Sequence, residues 1–235
     1  MDYESGEILC FDKPLTWTSF NLVAKVRWAL CRHLGVKKLK VGHAGTLDPL
    51  ATGVLIVCTG KATKRIDELQ AQTKEYVATL QLGSTTPSFD LEKDIDATYP
   101  TAHITRELID QSLPRFMGRI EQVPPAFSAV KVDGKRAYKL ARKGDHEEIE
   151  QLLKPKVLVI DELEVLGFDA EQMQLTIRVV CSKGTYIRAL ARDIGQALQS
   201  GAHLIALRRT RVGDVRVEQC RQLEDFITQI EKQTR

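Results

Sequence analysis

Gly42-His43-Ala44-Gly45-Thr46-Leu47-Asp48-Pro49-Leu50-Ala51-Thr52-Gly53 is the stretch on which the reading of this sequence turns. Three glycines and a proline surround one carboxylate. Glycine lets a backbone take positive φ or approach a neighbour closely. Pro49 fixes its own φ and disfavours the α region at Asp48. Asp48 is therefore expected in a defined, non-helical pose next to the apolar run 54–58, which reads as a buried strand. Asp-Pro is also a common turn dipeptide, so spacing alone is satisfied by a structural turn. A phosphate loop is a poorer fit. Gly60-Lys61 follows the strand, but position 55 is Leu and position 62 is Ala, so the G-x-x-x-x-G-K-[ST] spacing fails.

On the N-terminal side, residues 8–12 read as a short strand. Thr18 or Ser19 then caps a helix that runs to Leu34 and stops at Gly35, with Phe20, Val23, Ala24 and Leu34 near its inner face. Residues 37–52 read as a loop. On the C-terminal side, Tyr76, Ala78, Leu80 and Leu82 alternate with Val77, Thr79 and Gln81, the pattern of a strand. Residues 85–101, with two prolines and several acids, read as an exposed loop. A helix is expected after Thr105, limited by Pro114. Residues 128–132 read as a strand, followed by a turn at Asp133-Gly134 and a helix over 135–143. Residues 157–168 and 173–181 look like paired strands, with Met173, Leu175, Ile177, Val179 and Cys181 on one face. After Gly184 the period becomes helical, with Ile187, Leu190, Ala191, Ile194 and Leu198 in one stripe ended by Gly201. Residues 204–212 form a last core strand. The elements show no regular βαβ rhythm, which favours an α+β fold with a mixed, mainly antiparallel sheet flanked by helices.

The chain of 235 residues suffices for one large domain, and 28% charged residues fit a soluble globular protein. A net charge of only +3 means that any nucleic-acid face must concentrate its basic residues. Four groups do cluster: Lys37, Lys38 and Lys40; Lys61, Lys64 and Arg65; Lys131, Lys135, Arg136, Lys139, Arg142 and Lys143; and Arg208, Arg209 and Arg211. Asp2, Glu4 and Glu7 stand where a signal peptide would be basic, and no apolar run is long enough to span a bilayer. The five cysteines are scattered without a C-x-x-C and read as reduced core residues, which points to a cytoplasmic protein. The histidines lack zinc-ligand spacing, so neither metal nor cofactor is expected.

The stretch 45–53 resembles the catalytic motif of the TruB-type tRNA pseudouridine synthases. Further blocks resemble the same family in the same order. They are Asp12-Lys13-Pro14 with Thr16, Lys74-Glu75-Tyr76, residues 124–131 with 134–138, Cys181-Ser182-Lys183-Gly184-Thr185-Tyr186-Ile187-Arg188, and Gly201-Ala202-His203-Leu204 with Leu207-Arg208-Arg209. The resemblance runs to about residue 213. It implies a pseudouridine synthase fold with a central RNA-binding cleft. It also implies an isomerase that converts the uridine at position 55 in the T-loop of tRNA to pseudouridine. Such an enzyme extrudes its target base, at a cost of a few kcal/mol, and attacks C6 of the base or C1′ of the sugar with a carboxylate.

By this resemblance Asp48 is the nucleophile, Arg188 the guanidinium that pairs with it, and Tyr76 the ring that stacks on the flipped uracil and assists proton removal at C5. His43, Tyr186 and Leu207 are expected to meet the substrate, as are Lys13 and Lys64 on the flanking basic segments. The partner is the T-arm stem-loop of tRNA, met by a monomer with no membrane and no obligatory protein partner. Residues 1–235 are expected to be a single catalytic domain with a short tail at about 214–235. They leave no room for the C-terminal PUA domain of longer relatives, so contact with the RNA away from the target loop should be weaker or differently organised. One block departs from the family: after Leu82-Gly83 comes Ser84-Thr85-Thr86-Pro87-Ser88-Phe89-Asp90, where many relatives carry Thr-Asp-Thr. The alternatives are a guide-RNA-dependent synthase of the dyskerin type and a non-catalytic tRNA-binding or chaperone module.

Overall fold

The computed structural model describes residues 2–132, 134–141 and 146–234. The chain begins with β1 (Ile8–Lys13), α1 (Ser19–Leu34), β2 (Val41–His43), β3 (Ala51–Thr59), α2 (Ile66–Ala71) and β4 (Lys74–Leu82). There follow β5 (Ser84–Thr85), β6 (Ala97–Thr98), α3 (Arg106–Ser112), β7 (Gly118–Gln122), β8 (Lys131–Val132), β9 (Lys135–Arg136), α4 (Ala137–Ala141) and α5 (His146–Leu152). The last elements are β10 (Lys156–Asp169), β11 (Gln174–Cys181), α6 (Ile187–Ala197), β12 (Ala202–Val212), β13 (Val215–Arg216) and α7 (Leu223–Gln233). Pairing is mainly antiparallel, which makes the fold α+β as expected. Two compact units emerge, Met1–Tyr76 with Leu207–Arg235, and Val77–Ala206. Among the described residues no helix is long and apolar enough to cross a membrane.

In the first unit β3 is the centre. β1 pairs antiparallel along one edge, from Ile8 opposite Cys58 to Lys13 opposite Gly53. The other edge is shared by β2, antiparallel, and by Leu207–Arg209 of β12, parallel. The apolar run in β3 is buried on both faces, as its composition demands. Leu55 and Val57 join a core with Val23, Val26 and Leu30 of α1 and Phe226, Ile227 and Ile230 of α7. Val54, Ile56 and Cys58 join a second core with Leu69 and Val212. Residues 214–235, read as a tail, thus contain a helix packed into the core, where Phe226 meets Phe11 edge-on at 5.2 Å.

α1 has the caps expected of it. Thr18 accepts a hydrogen bond from the Asn21 N–H at 2.9 Å, and Gly35 sits at φ 67. Its buried face is set by Leu22, Val23, Val26, Ala29 and Leu30. Phe20, expected on that face, is 68% exposed, because a residue two before Leu22 is turned about 200° away from it. The loop expected over 37–52 also gains β2.

In the second unit the hydrogen-bonded order is β4-β11-β10-β7. β10 and β11 form the expected hairpin, with register shifts between Ile160 and Glu162 and between Val165 and Gly167. Leu175, Ile177, Val179 and Cys181 are buried, whereas Met173 lies in the turn at φ 51 and not on the strand. The stripe of α6 is buried throughout, including Leu198 just beyond it. The expected exposed loop at 85–101 is only partly exposed: Thr86, Ser88, Phe89 and Asp90 are buried, since their polar groups find partners inside. The helix expected over 135–143 starts with β9 and continues as α4, while Asp133, Arg142 and Lys143 lie outside the described residues.

Gly53 shows why the motif needs glycine. It sits at φ 105, and a Cβ there would lie 2.1 Å from the Arg209 carbonyl oxygen across the parallel pairing. Gly53→Ala should lower the unfolding free energy by at least about 3 kcal/mol from backbone strain and lost pairing. A urea midpoint equal to that of the parent protein would refute this.

Candidate active site

Asp48 lies in the connection between β2 and β3, and its neighbours on both sides are fixed. Ser19, at the start of α1 and 2% exposed, donates from Oγ to the Leu47 carbonyl at 3.0 Å and accepts from the Leu47 N–H at 2.9 Å. Pro49 O accepts from the Thr16 N–H at 2.8 Å, and Asp48 O accepts from the Ala51 N–H at 3.1 Å. Arg209, 1% exposed, donates to Gly45 O at 3.0 Å, Thr46 O at 3.4 Å and Val54 O at 2.8 Å. Reciprocal and charge-assisted bonds of this kind leave a loop few alternative conformations. Asp48 itself is half-buried.

Lys13, expected to bind substrate, has no exposed surface. Its ammonium donates to Pro14 O at 2.9 Å, Trp17 O at 2.6 Å and Pro49 O at 3.4 Å. In this conformation Lys13 is thus directed at the backbone of the loop. Burial pushes its pKa down to about 8, opposed by the nearby Asp48 carboxylate and helped by Arg209. Burial and the Arg209 charge also lower the pKa of His43, which favours the neutral ring. Its Nδ1 is buried and makes no hydrogen bond among the described residues. Tyr76 is buried on the inward face of β4, in phase with Ala78, Leu80 and Leu82. Leu207, half-buried, stands opposite Ala51 in the parallel pairing, three residues from Asp48. Lys64 is exposed after β3.

Arg188 and Tyr186 belong to the second unit. Tyr186 precedes α6, and the Gln122 amide brackets its backbone, accepting from its N–H at 2.9 Å and donating to its carbonyl at 3.2 Å. Arg188, far from being a surface arginine, is 5% exposed. It donates to Ser88 O and Phe127 O, both at 3.0 Å, and its Nε lies 3.7 Å from the Asp90 carboxylate. A buried guanidinium with these partners is fixed in direction as well as charge. The departure at Ser84–Asp90 therefore leaves a loop that still serves Arg188.

Ser19 and Arg209 hold the loop in ways the sequence does not show. By sequence Ser19 offers only a possible cap, and Arg209 looks like one more member of a basic cluster with Arg208 and Arg211, yet it is buried. Arg208 pairs with Asp12 at 2.8 Å, and Arg211 lies 3.8 Å from Glu75. Only the position of Arg209 directly across from Gly53 could have hinted at its role, and pairing register is not visible in one sequence.

Two outcomes follow from this geometry. Ser19→Ala leaves both backbone groups of Leu47 buried without their partner and should cost about 1–3 kcal/mol in stability, read by chemical denaturation. Lys13, followed by ¹⁵N-lysine NMR, should titrate near pH 8. In Asp48→Asn it should titrate lower still, because the carboxylate that favours the ammonium is gone; an unchanged or raised value would contradict the placement.

Comparison with known proteins identifies the family. Residues 32–187 match the TruB family pseudouridylate synthase N-terminal domain, and residues 188–234 the tRNA pseudouridylate synthase B C-terminal domain. The chain is 68% identical to a tRNA pseudouridine synthase B of Phocaeicola vulgatus, over 99% of this chain and 97% of that one. It is 51% identical to one of Flavobacterium johnsoniae, over 92% and 93%. Among solved structures, it matches a chain of an H/ACA ribonucleoprotein bound to a substrate RNA, with TM-score 0.66 and 29% identity over 96% of this chain. It also matches a chain of a Cbf5-Nop10-Gar1 complex, with TM-score 0.68 and 30% identity over 96% of this chain. It spans only about half of each of those longer chains, 53% and 54%. With both domain profiles matched in order along the chain, this protein belongs to the TruB family of pseudouridine synthases.

Proposed function

We propose that the chain converts the uridine at position 55 in the T-loop of tRNA to pseudouridine, with Asp48 as the nucleophile. The observation that carries this reading is the half-buried residue Asp48 on a loop fixed by Ser19, Lys13 and Arg209, in a chain of this family. The reaction breaks the C1′–N1 bond, turns the base and joins C1′ to C5, after which the C5 proton leaves. A carboxylate serves as nucleophile toward C6 or C1′, and a fixed one avoids the reorganisation that a mobile side chain would require.

In this reading Arg188 pairs with Asp48 and aims its carboxylate. Tyr76 stacks on the flipped uracil, which contributes about 1–3 kcal/mol and offsets the cost of extrusion. Tyr186 and Leu207 line the uridine pocket. His43, neutral at physiological pH by its lowered pKa, contacts the opened RNA loop without adding charge. Lys64 meets phosphate. Lys13 acts as a positioning residue for the loop. The protein works in the cytoplasm as a monomer, without a cofactor or an obligatory protein partner.

A tRNA substrate is favoured over a guide-RNA substrate by similarity: the chain is 68% identical to the Phocaeicola vulgatus tRNA pseudouridine synthase B but 29% and 30% identical to the chains of the H/ACA ribonucleoprotein and of the Cbf5-Nop10-Gar1 complex. Asp48→Ala should abolish pseudouridine formation, mapped by carbodiimide modification of tRNA, while circular dichroism shows the fold intact. Activity within a few-fold of the parent protein would defeat the assignment of the nucleophile. Activity of the parent protein on a bare T-arm stem-loop would exclude dependence on a guide RNA.

A further inference from the structure

α1 presents an outer face that the reaction just described does not use. Phe20 is 68% exposed and Trp28 49% exposed. With Ala24 between them they follow an i, i+4, i+8 spacing and so share one side of the helix. Lys25 and Arg32, both exposed, lie over the Trp28 ring, with their charged groups 4.8 Å and 5.6 Å from its centre. A single exposed aromatic is ordinary on a protein surface; two in line with cations around them are less so.

Charge is distributed to match. Between Asp12 and Asp48 the sequence holds no acid, while it holds Lys13, Lys25, Arg27, Arg32, Lys37, Lys38 and Lys40. The whole chain carries 34 basic and 31 acidic residues, so the remainder is net acidic and its positive excess sits in this one segment. Lys13 and Arg27 are directed inward to carbonyl groups, and the other five are exposed. The stripe also starts at the active site. Phe20 follows Ser19, whose hydroxyl touches Leu47 next to Asp48, and Arg32 lies about 20 Å further along the helix axis.

We propose that this face of α1 is a second RNA-binding surface. It takes an unpaired base of the tRNA, outside the arm that carries the target uridine, stacked on Trp28 with its flanking phosphates on Lys25 and Arg32. Exposed aromatics among cations suit unpaired bases, because a stacked duplex offers no free base face. The proposal rests on tRNA being the substrate.

The test uses the full chain and two RNAs, a whole tRNA transcript and the isolated T-arm stem-loop, with affinity measured by fluorescence anisotropy over a range of KCl. Phe20→Ala with Trp28→Ala should weaken binding of the whole tRNA about tenfold. Binding and turnover of the stem-loop should stay within about twofold, since the stacking contact is absent from that RNA. Lys25→Gln with Arg32→Gln should reduce the salt slope for the whole tRNA by about 1.4 to 1.8, and not for the stem-loop. Equal losses on both RNAs would place these residues at the target arm and overturn the proposal. So would unchanged affinity for the whole tRNA, or a change only in self-association on a sizing column. If the parent protein modifies neither RNA, it is the assignment of function that fails, whereas a Trp28-dependent difference in binding between the RNAs would still support the surface.

Discussion

The hydroxyl of Ser19 and the backbone of Leu47 form the contact on which the active site depends. It joins the first turn of α1 to the residue before Asp48, inside a region where neither partner has water to fall back on. Lys13 and Thr16 fix the residue after Asp48, and Arg209 fixes the two residues before Leu47. The carboxylate is thus presented by a backbone anchored at every neighbouring position. The anchors come from β1, the β1–α1 connection, α1 and β12, four places that meet only once the strands around β3 are paired.

Much of this fold is legible in the sequence because its signals are local. Thr18 and Gly35 bracket α1 through cap chemistry that acts over three or four residues, and the alternation from Tyr76 to Leu82 reports one strand with one buried face. The motif around Asp48 is legible through its glycines and proline and, decisively, through family resemblance. What the sequence hides is non-local. Phe20 looks like a core residue by type, and only the helix phase set by Leu22 and Val26 turns it outward. Arg209 looks like a phosphate ligand until pairing of β12 with β3 places it under the loop. Ser88–Asp90 looks like exposed loop until Arg188 is seen to take its carbonyl and carboxylate groups.

The buried cations Lys13, Arg188 and Arg209 differ in what they ask of the protein. Arg188 has a carboxylate within 4 Å, whereas Lys13 and Arg209 donate to backbone carbonyls. Carbonyl dipoles compensate a buried charge only in part, which is why Lys13 gives up its proton more readily than an ordinary lysine. The Arg209 charge disfavours protonation of His43 and of Lys13 alike.

The order in which the ribosome delivers these parts has its own consequence. The loop around Asp48 is made early, yet the guanidinium that fastens Gly45 is 164 residues downstream. The apolar side chains of α7, which fill the same core as α1, come later still. Until β12 and α7 emerge, β3 has an open edge and an uncovered face, and the loop that carries Asp48 lacks its Arg209 anchor. Completion of the catalytic loop is therefore a late event of high sequence separation, the kind that folds slowly and leaves a nascent chain exposed to misassociation. The loop around Asp48 gains its last backbone anchor only after β12 has been made.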